Sequence, residues 1–185
     1  MKNMTLENIA AVCGVYHGDP AKSKQEVTNI VIDSRKIEPG GLFIATKGER
    51  VDGHSFIGQV IEKGALAVVS EQELPDADFP YILVKDSFTA LKQIAAFRRQ
   101  LSVRVVGITG SVGKTSTKEM IAGVLSAKYR VMKTEGNFNN EIGLPLTILR
   151  IREEDEVAVL EMGISDFGEM SRLTQMAKPD ISVIT

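Results

Sequence analysis

One stretch constrains the chain more than any other: GITGSVGKTS, residues 107–116. It follows VRVVGIT, an apolar run of the kind buried on both faces of a parallel sheet. It leads into KEMIAGVLSAK, whose helical spacing is expected to turn Met120, Ile121, Val124 and Leu125 inward. A strand, a glycine-rich turn and a helix in that order aim backbone N–H groups and the positive end of a helix dipole at one point. Gly110 and Gly113 can take positive φ and let the main chain close on a ligand. Lys114 adds a mobile cation for the β- and γ-phosphates of ATP, and the Thr115 hydroxyl is placed to ligate Mg2+. The usual spacing puts a glycine five residues before Gly113, where Ile108 stands; Gly107 is one residue too early. A glycine-rich turn with an incidental Lys-Thr pair is the alternative, and the intact strand and helix flanks argue against it.

The rest of the chain alternates strands with helices, which predicts an α/β fold with a parallel, doubly wound sheet. After Asp86-Ser87, a capping pair, FTALKQIAAFRRQ reads as a helix with Arg98 and Arg99 where the dipole favours cations. DFGEMSRLTQMAK reads as a helix stopped by Pro179, and YRVMKT, VAVLEMG and ISVIT read as strands. Residues 1–84 form a separate small α/β unit in this reading. It opens with the helix LENIAAVC, capped by Thr5 and ended at Gly14. The strands VTNIVIDS, GLFIAT, ALAVVS and YILVK follow, with an acidic surface loop at 71–80. The helix HSFIGQVIEKG carries Phe56, Ile57, Val60 and Ile61 on one side. Two domains are therefore expected, 1–84 and 85–185. The closing strand ISVIT lacks the connection and neighbour a parallel strand needs, so the chain is expected to be a piece of a longer protein.

Composition removes several classes of function. The net charge of -2 carries no electrostatic footprint for nucleic acid. No apolar run is long enough to span a bilayer, and the N-terminus lacks the apolar core and cleavage site of a signal peptide. The single cysteine, Cys13, makes neither a disulfide framework nor a zinc cluster, and reads as a small buried hydrophobe on the first helix. The expectation is a cytoplasmic protein.

Three further places hold chemistry-bearing residues. VAVLEMG puts Glu161 at the end of an apolar strand, where a carboxylate holds Mg2+ directly or through water; a solvated strand-end acid is the alternative. GNFNNEIGLPLTIL, residues 136–149, crowds Asn137, Asn139 and Asn140 into a turn before a helix. Their amides either cap and turn the backbone or orient an anionic substrate, and the residues alone favour neither. DSRKIEPGGLFIATKGERVDGHSF, residues 33–56, sets Asp33, Ser34, Arg35, Lys47, Arg50, Asp52 and His54 at strand ends and in loops. Arginine suits bidentate phosphate contact, whereas a solvated loop with Asp52 or Ser55 as a helix cap is the plain alternative.

Taken in order along nearly the whole chain, GITGSVGKTS, GNFNNEIGLPLTIL, EMGIS and the upstream DSR…GERVDGHSF resemble the Mur ligase family. The asparagine stretch is most similar to the branch that joins D-alanyl-D-alanine to UDP-N-acetylmuramoyl-tripeptide. The resemblance implies a first domain for the uridine-diphosphate end of the precursor and a central domain for ATP. It places Gly110, Ser111, Val112, Gly113, Lys114, Thr115, Ser116 and Thr117 at ATP, with Lys114 also offsetting charge on the transferring phosphoryl group. It places Ser34, Arg35, Lys47, Asp52, Gly53, His54, Asn139 and Asn140 at the substrate, and Thr115 and Glu161 at Mg2+. The implied reaction is ATP-driven amide formation through an acyl phosphate, by a monomer, with the 185 residues alone inactive. Two alternatives stay open: a related ligase adding another amino acid, or a phosphate-loop module that binds nucleotide without catalysis.

Overall fold

The computed structural model describes residues 1–48, 51–100 and 102–185. It divides into an N-terminal unit, Met1–Ile94, and a C-terminal unit, Ala95–Thr185.

The N-terminal unit is built around short parallel strands. β2 (Ile30–Val31), β3 (Leu42–Ile44), β4 (Ala67–Ser70) and β5 (Tyr81–Leu83) run parallel, and β1 (Val15–His17) adds antiparallel to β5, giving the order β1-β5-β4-β3-β2. α1 (Leu6–Cys13) starts where Thr5 Oγ1 accepts the N–H of Asn8, as its position before an apolar-periodic run predicts. The expected strand VTNIVIDS shrinks to Ile30–Val31, because Asp33 turns the chain: its carbonyl accepts from Lys36 N–H and its carboxylate from Arg35 N–H. The expected helix from His54 opens as a 3-10 turn, Gly53–Phe56, before α3 (Ile57–Glu62). Ile57 and Val60 pack with Phe43, Val68 and Tyr81, with Phe56 and Ile61 against them. The short β1 and α2 (Pro20–Ser23) carry too few residues for a periodic signal and escape the sequence reading.

The C-terminal unit holds a parallel sheet in the order β7-β8-β6-β9, from β6 (Arg104–Thr109), β7 (Val131–Lys133), β8 (Val157–Glu161) and β9 (Ile181–Ile184). Buried residues fill β8 throughout and most of β6, as their apolar runs predict. The crossovers are α5 (Lys114–Ser126), α6 (Gly143–Leu149) and α7 (Glu169–Ala177). The chain leaves β6 for β7 and β8 on one side, then returns to place β9 on the other. Such reversals open a crevice at the carboxyl ends of the strands, where open α/β sheets bind ligands. α4 (Ser87–Arg98) starts at Asp86, whose carboxylate accepts Thr89 N–H. Just beyond it, Arg99 donates to the carbonyls of Ala177 and Lys178, tying that end to the turn ahead of β9.

One inward face was misassigned. Met120 and Val124 of α5 are exposed, while Lys118 and Ala122 are buried and Ile121 and Leu125 pack on the core. Residues 118, 122 and 125 share a helical stripe, and 120 and 124 lie opposite. Cys13 is half-buried, donates to the carbonyl of Ile9, and burial pushes its thiol up to about 12. Among the described residues no helix is long and apolar enough to cross a membrane.

Candidate functional site

The loop between β6 and α5 has the backbone its glycines allow. Gly110 takes φ +144° and Gly113 φ +79°. A Cβ on Gly110 would stand 2.0 Å from the carbonyl oxygen of Thr185. That residue, just past β9, stitches the loop: its carbonyl accepts Ser111 N–H at 3.2 Å and its hydroxyl donates to Val112 O at 2.6 Å. α5 begins at Lys114 without a side-chain cap, so its first-turn amides have no acceptor within the helix. Those amides and the helix dipole make a site for an anion. Lys114 Nζ lies over the loop, donating to Gly110 O at 2.8 Å. Ser111, Val112 and Ser116 are exposed beside it, and Thr117 N–H closes the first helical bond on Gly113 O.

Glu161 is the centre on which neighbouring side chains converge. The register pairs it with Ile108, two residues before Gly110, so the end of β8 lies beside the start of the loop. Its side chain is 4% exposed. Oε2 accepts from Thr115 Oγ1 at 3.0 Å and Oε1 from Asn139 Nδ2 at 2.9 Å, while its own N–H donates to Thr134 Oγ1. Asn139 is fixed in turn: its carbonyl accepts Gly163 N–H, and a Cβ on Gly163 would crowd its amide at 3.1 Å. The sequence reading missed one member, Lys118, whose Nζ is 3.8 Å from Glu161 Oε2 at 3% side-chain exposure. Its signal was spacing, since a residue three on from Thr115 shares the same helix face. The hydroxyl of Thr115 and the carboxylate of Glu161 are hard oxygen donors 3.0 Å apart, a set that suits Mg2+.

The asparagines divide. Asn139 joins Glu161, Asn137 is exposed, and Asn140 turns the other way. Asn140 Oδ1 accepts from Gly143 N–H at 2.8 Å and Ile142 N–H at 3.2 Å, covering the first amides of α6. This capping role satisfies orphan donors and stands beside the substrate contact expected of Asn140.

In the N-terminal unit the marked residues gather beyond the carboxyl ends of β2, β3 and β4, but mostly bond one another. Arg35 lies fork-to-fork on Asp33, Nε to Oδ1 at 2.9 Å and Nη2 to Oδ2 at 2.8 Å, with the arginine side chain 85% exposed. That contact holds the Asp33 carboxyl down at about 2. Asp52 accepts His54 N–H and the ring Nδ1–H, and these two bonds hold its carboxyl low. His54 Nε2 accepts from Glu71 N–H at 3.1 Å. Both ring nitrogens are thereby used, so His54 binds the loop to the end of β4, a structural role beside the substrate role expected of it. Gly53 is buried with its Cβ position 2.8 Å from Thr46 O, a close approach only glycine permits. Lys47 is exposed and bridges to Asp52 through the backbone. Ser34 is buried and its carbonyl accepts from Lys63 Nζ. Arg50 lies outside the described residues.

Residues 26–99 match the Mur ligase family, catalytic domain, and residues 108–185 the Mur ligase middle domain. The UDP-N-acetylmuramoyl-tripeptide--D-alanyl-D-alanine ligase of Bacillus subtilis (strain 168) is 47% identical over 188 residues, spanning 100% of this chain and 41% of the relative. The enzyme of that name from Escherichia coli (strain K12) is 42% identical over 98% of this chain and 40% of its own length. Among solved structures, MurF from Acinetobacter baumannii superposes with a TM-score of 0.88 at 36% identity, covering 97% of this chain and 40% of that one. The MurF ligase from Thermotoga maritima in complex with ADP gives 0.75 at 40% identity, covering 84% and 36%. The chain thus spans about two fifths of the length of the curated relatives it matches.

Proposed function

The chain belongs to the Mur ligase family, and from that premise we propose that it serves ATP-dependent addition of D-alanyl-D-alanine to UDP-N-acetylmuramoyl-tripeptide in the cytoplasm. The observation that carries this is the convergence of Lys114, Thr115 and Asn139 around the loop and Glu161. It is supported by 37–47% identity across most of the chain to relatives of that name. In this reading residues 85–185 hold ATP and residues 1–84 the uridine-diphosphate end, with Ser34, Arg35 and Lys47 nearest the precursor. Thr115 and Glu161 would hold Mg2+, which when bound neutralises phosphate charge.

The chemistry follows from positioning. Loop amides and Lys114 hold the β- and γ-phosphates so that the precursor's terminal carboxylate can attack the γ-phosphorus, the bond to the bridging oxygen breaks, ADP leaves and an acyl phosphate forms. The amine of D-alanyl-D-alanine then attacks the acyl carbon, and phosphate leaves through a tetrahedral intermediate. Lys114 offsets charge on the transferring oxygens.

The test is calorimetric titration of the chain with Mg-ADP and, separately, with UDP, followed by an assay of phosphate release by the full-length parent protein with the tripeptide precursor and D-alanyl-D-alanine. Binding of both nucleotides at separate sites supports the ligase reading. Binding of Mg-ADP without any site for UDP would favour the non-catalytic nucleotide module. Other amino acids replacing the dipeptide in the assay would move the assignment to a sister ligase. Light scattering checks the monomeric state that belongs to this reading.

A further inference from the structure

Lys118 has no part in the loop motif, yet it is among the largest fully buried side chains of the described residues. Burying an ammonium is costly unless it is paired, so its partners define its role. Two carboxylates face it: Glu119 Oε1 at 3.2 Å and Glu161 Oε2 at 3.8 Å. Glu119 is half-exposed and already takes an ion pair from Lys133. Two lysines and two glutamates sum to zero charge. With Lys133 matched to Glu119, the charge left for Glu161 is that of Lys118.

We propose that Lys118 is a positioning residue that acts as the resident counter-cation of Glu161, so that the site takes a divalent cation only together with a nucleotide. The inference rests on the nucleotide and Mg2+ reading above. A carboxylate already balanced by a buried ammonium attracts a second cation weakly, and a divalent ion near that ammonium is repelled. Among the described residues no three His, Cys, Asp or Glu side chains come together to hold a metal. Thr115 and Glu161 therefore supply few of the six ligands that Mg2+ requires, and phosphate oxygens supply the charge that overcomes Lys118.

Mn2+ serves as the probe, followed by electron paramagnetic resonance on the 185-residue chain with and without ADP. The expected result is no Mn2+ site tighter than about 1 mM without ADP, and one Mn2+ bound per chain with it. Lys118→Met keeps an unbranched stem and removes the charge. It should create a nucleotide-independent Mn2+ site at least about tenfold tighter, which Glu161→Gln in the same background abolishes. Lys118→Arg retains the charge and should create none. A Lys118→Met protein that folds but gains no site would overturn the inference while leaving the nucleotide reading intact. Should that variant not fold, the wild-type chain still decides: sub-millimolar Mn2+ binding without ADP overturns the proposal. Failure of the wild type to bind Mn-ADP takes down both readings together.

Discussion

At the strand ends of the N-terminal unit, charged side chains are used on one another; in the C-terminal unit they converge on one carboxylate. Asp33 takes Arg35 and Asp52 takes His54, each within two residues of sequence. Glu161 draws Thr115, Lys118 and Asn139 from α5 and from the turn before α6. Local pairs near solvent lose little when broken, because water replaces the partner. A buried convergent cluster cannot be relieved that way, since removing its centre strands a charge. The largest expected effect tests this contrast. Glu161→Ala should cost about 3 kcal/mol in urea unfolding, because Lys118 loses its buried carboxylate and keeps only the half-exposed Glu119, which Lys133 already pairs. A cost under about 1 kcal/mol would mean that the cluster carries no more weight than a surface pair.

The second test asks whether the phosphate loop alone carries the nucleotide. Lys114→Ala should weaken Mg-ADP binding roughly 10- to 100-fold by calorimetry, the worth of a hydrogen bond to a charged group. Arg35→Ala, in the exposed pair of the other unit, should leave that affinity unchanged. Equal losses in both variants would erase the functional difference between the two regions.

What could be read from sequence follows the same divide. The loop was legible because it works through its own backbone: the glycines, Lys114 and Thr115 are contiguous, and their flanks announce a strand and a helix. Glu161 was legible because an apolar run ends on it. Lys118 was not, because it lies on α5 and Glu161 on β8, and only the sheet register that sets Ile108 beside Glu161 brings them together. The structural bonds of His54 and Asn140 were not legible because the residue types that cap and turn a backbone are the ones that bind anions. Met120 and Val124 were misread because apolar residues on α5 outnumber the positions of its buried stripe. The parallel direction of the strands followed from the alternation of elements, while their order in each sheet was not legible and the antiparallel β1 and its pairing were invisible at three residues.

A smaller effect separates the asparagines. Asn140→Ala should cost about 1 kcal/mol through the exposed amides of α6, and leave Mg-ADP affinity within about twofold. Asn139→Ala should weaken Mg-ADP binding more than it weakens folding, since its amide touches Glu161 directly. If the two variants behave alike, the division of the turn into a capping and a site residue fails.

The smallest effect lies at the Asp33–Arg35 pair and concerns pH. Hydrogen bonds from the arginine side chain, then from its backbone, lower the Asp33 carboxyl from 3.8 to about 2. A group lowered on folding stabilises the fold above its unfolded value, and that contribution is lost as pH falls through the folded value. The window is therefore about pH 4 down to pH 2, and Asp33→Asn should flatten the acid limb there by lowering stability at pH 7 by the same small amount while leaving it unchanged below pH 2. Both side chains are open to solvent, so the amplitude is small and salt should screen it further. Carboxylate chemical shifts followed by NMR give the direct check. An Asp33 that titrates near 3.8 would mean that the fork-to-fork contact does not persist in solution, leaving Arg35 free for a phosphate and making the two units more alike than their hydrogen bonds suggest.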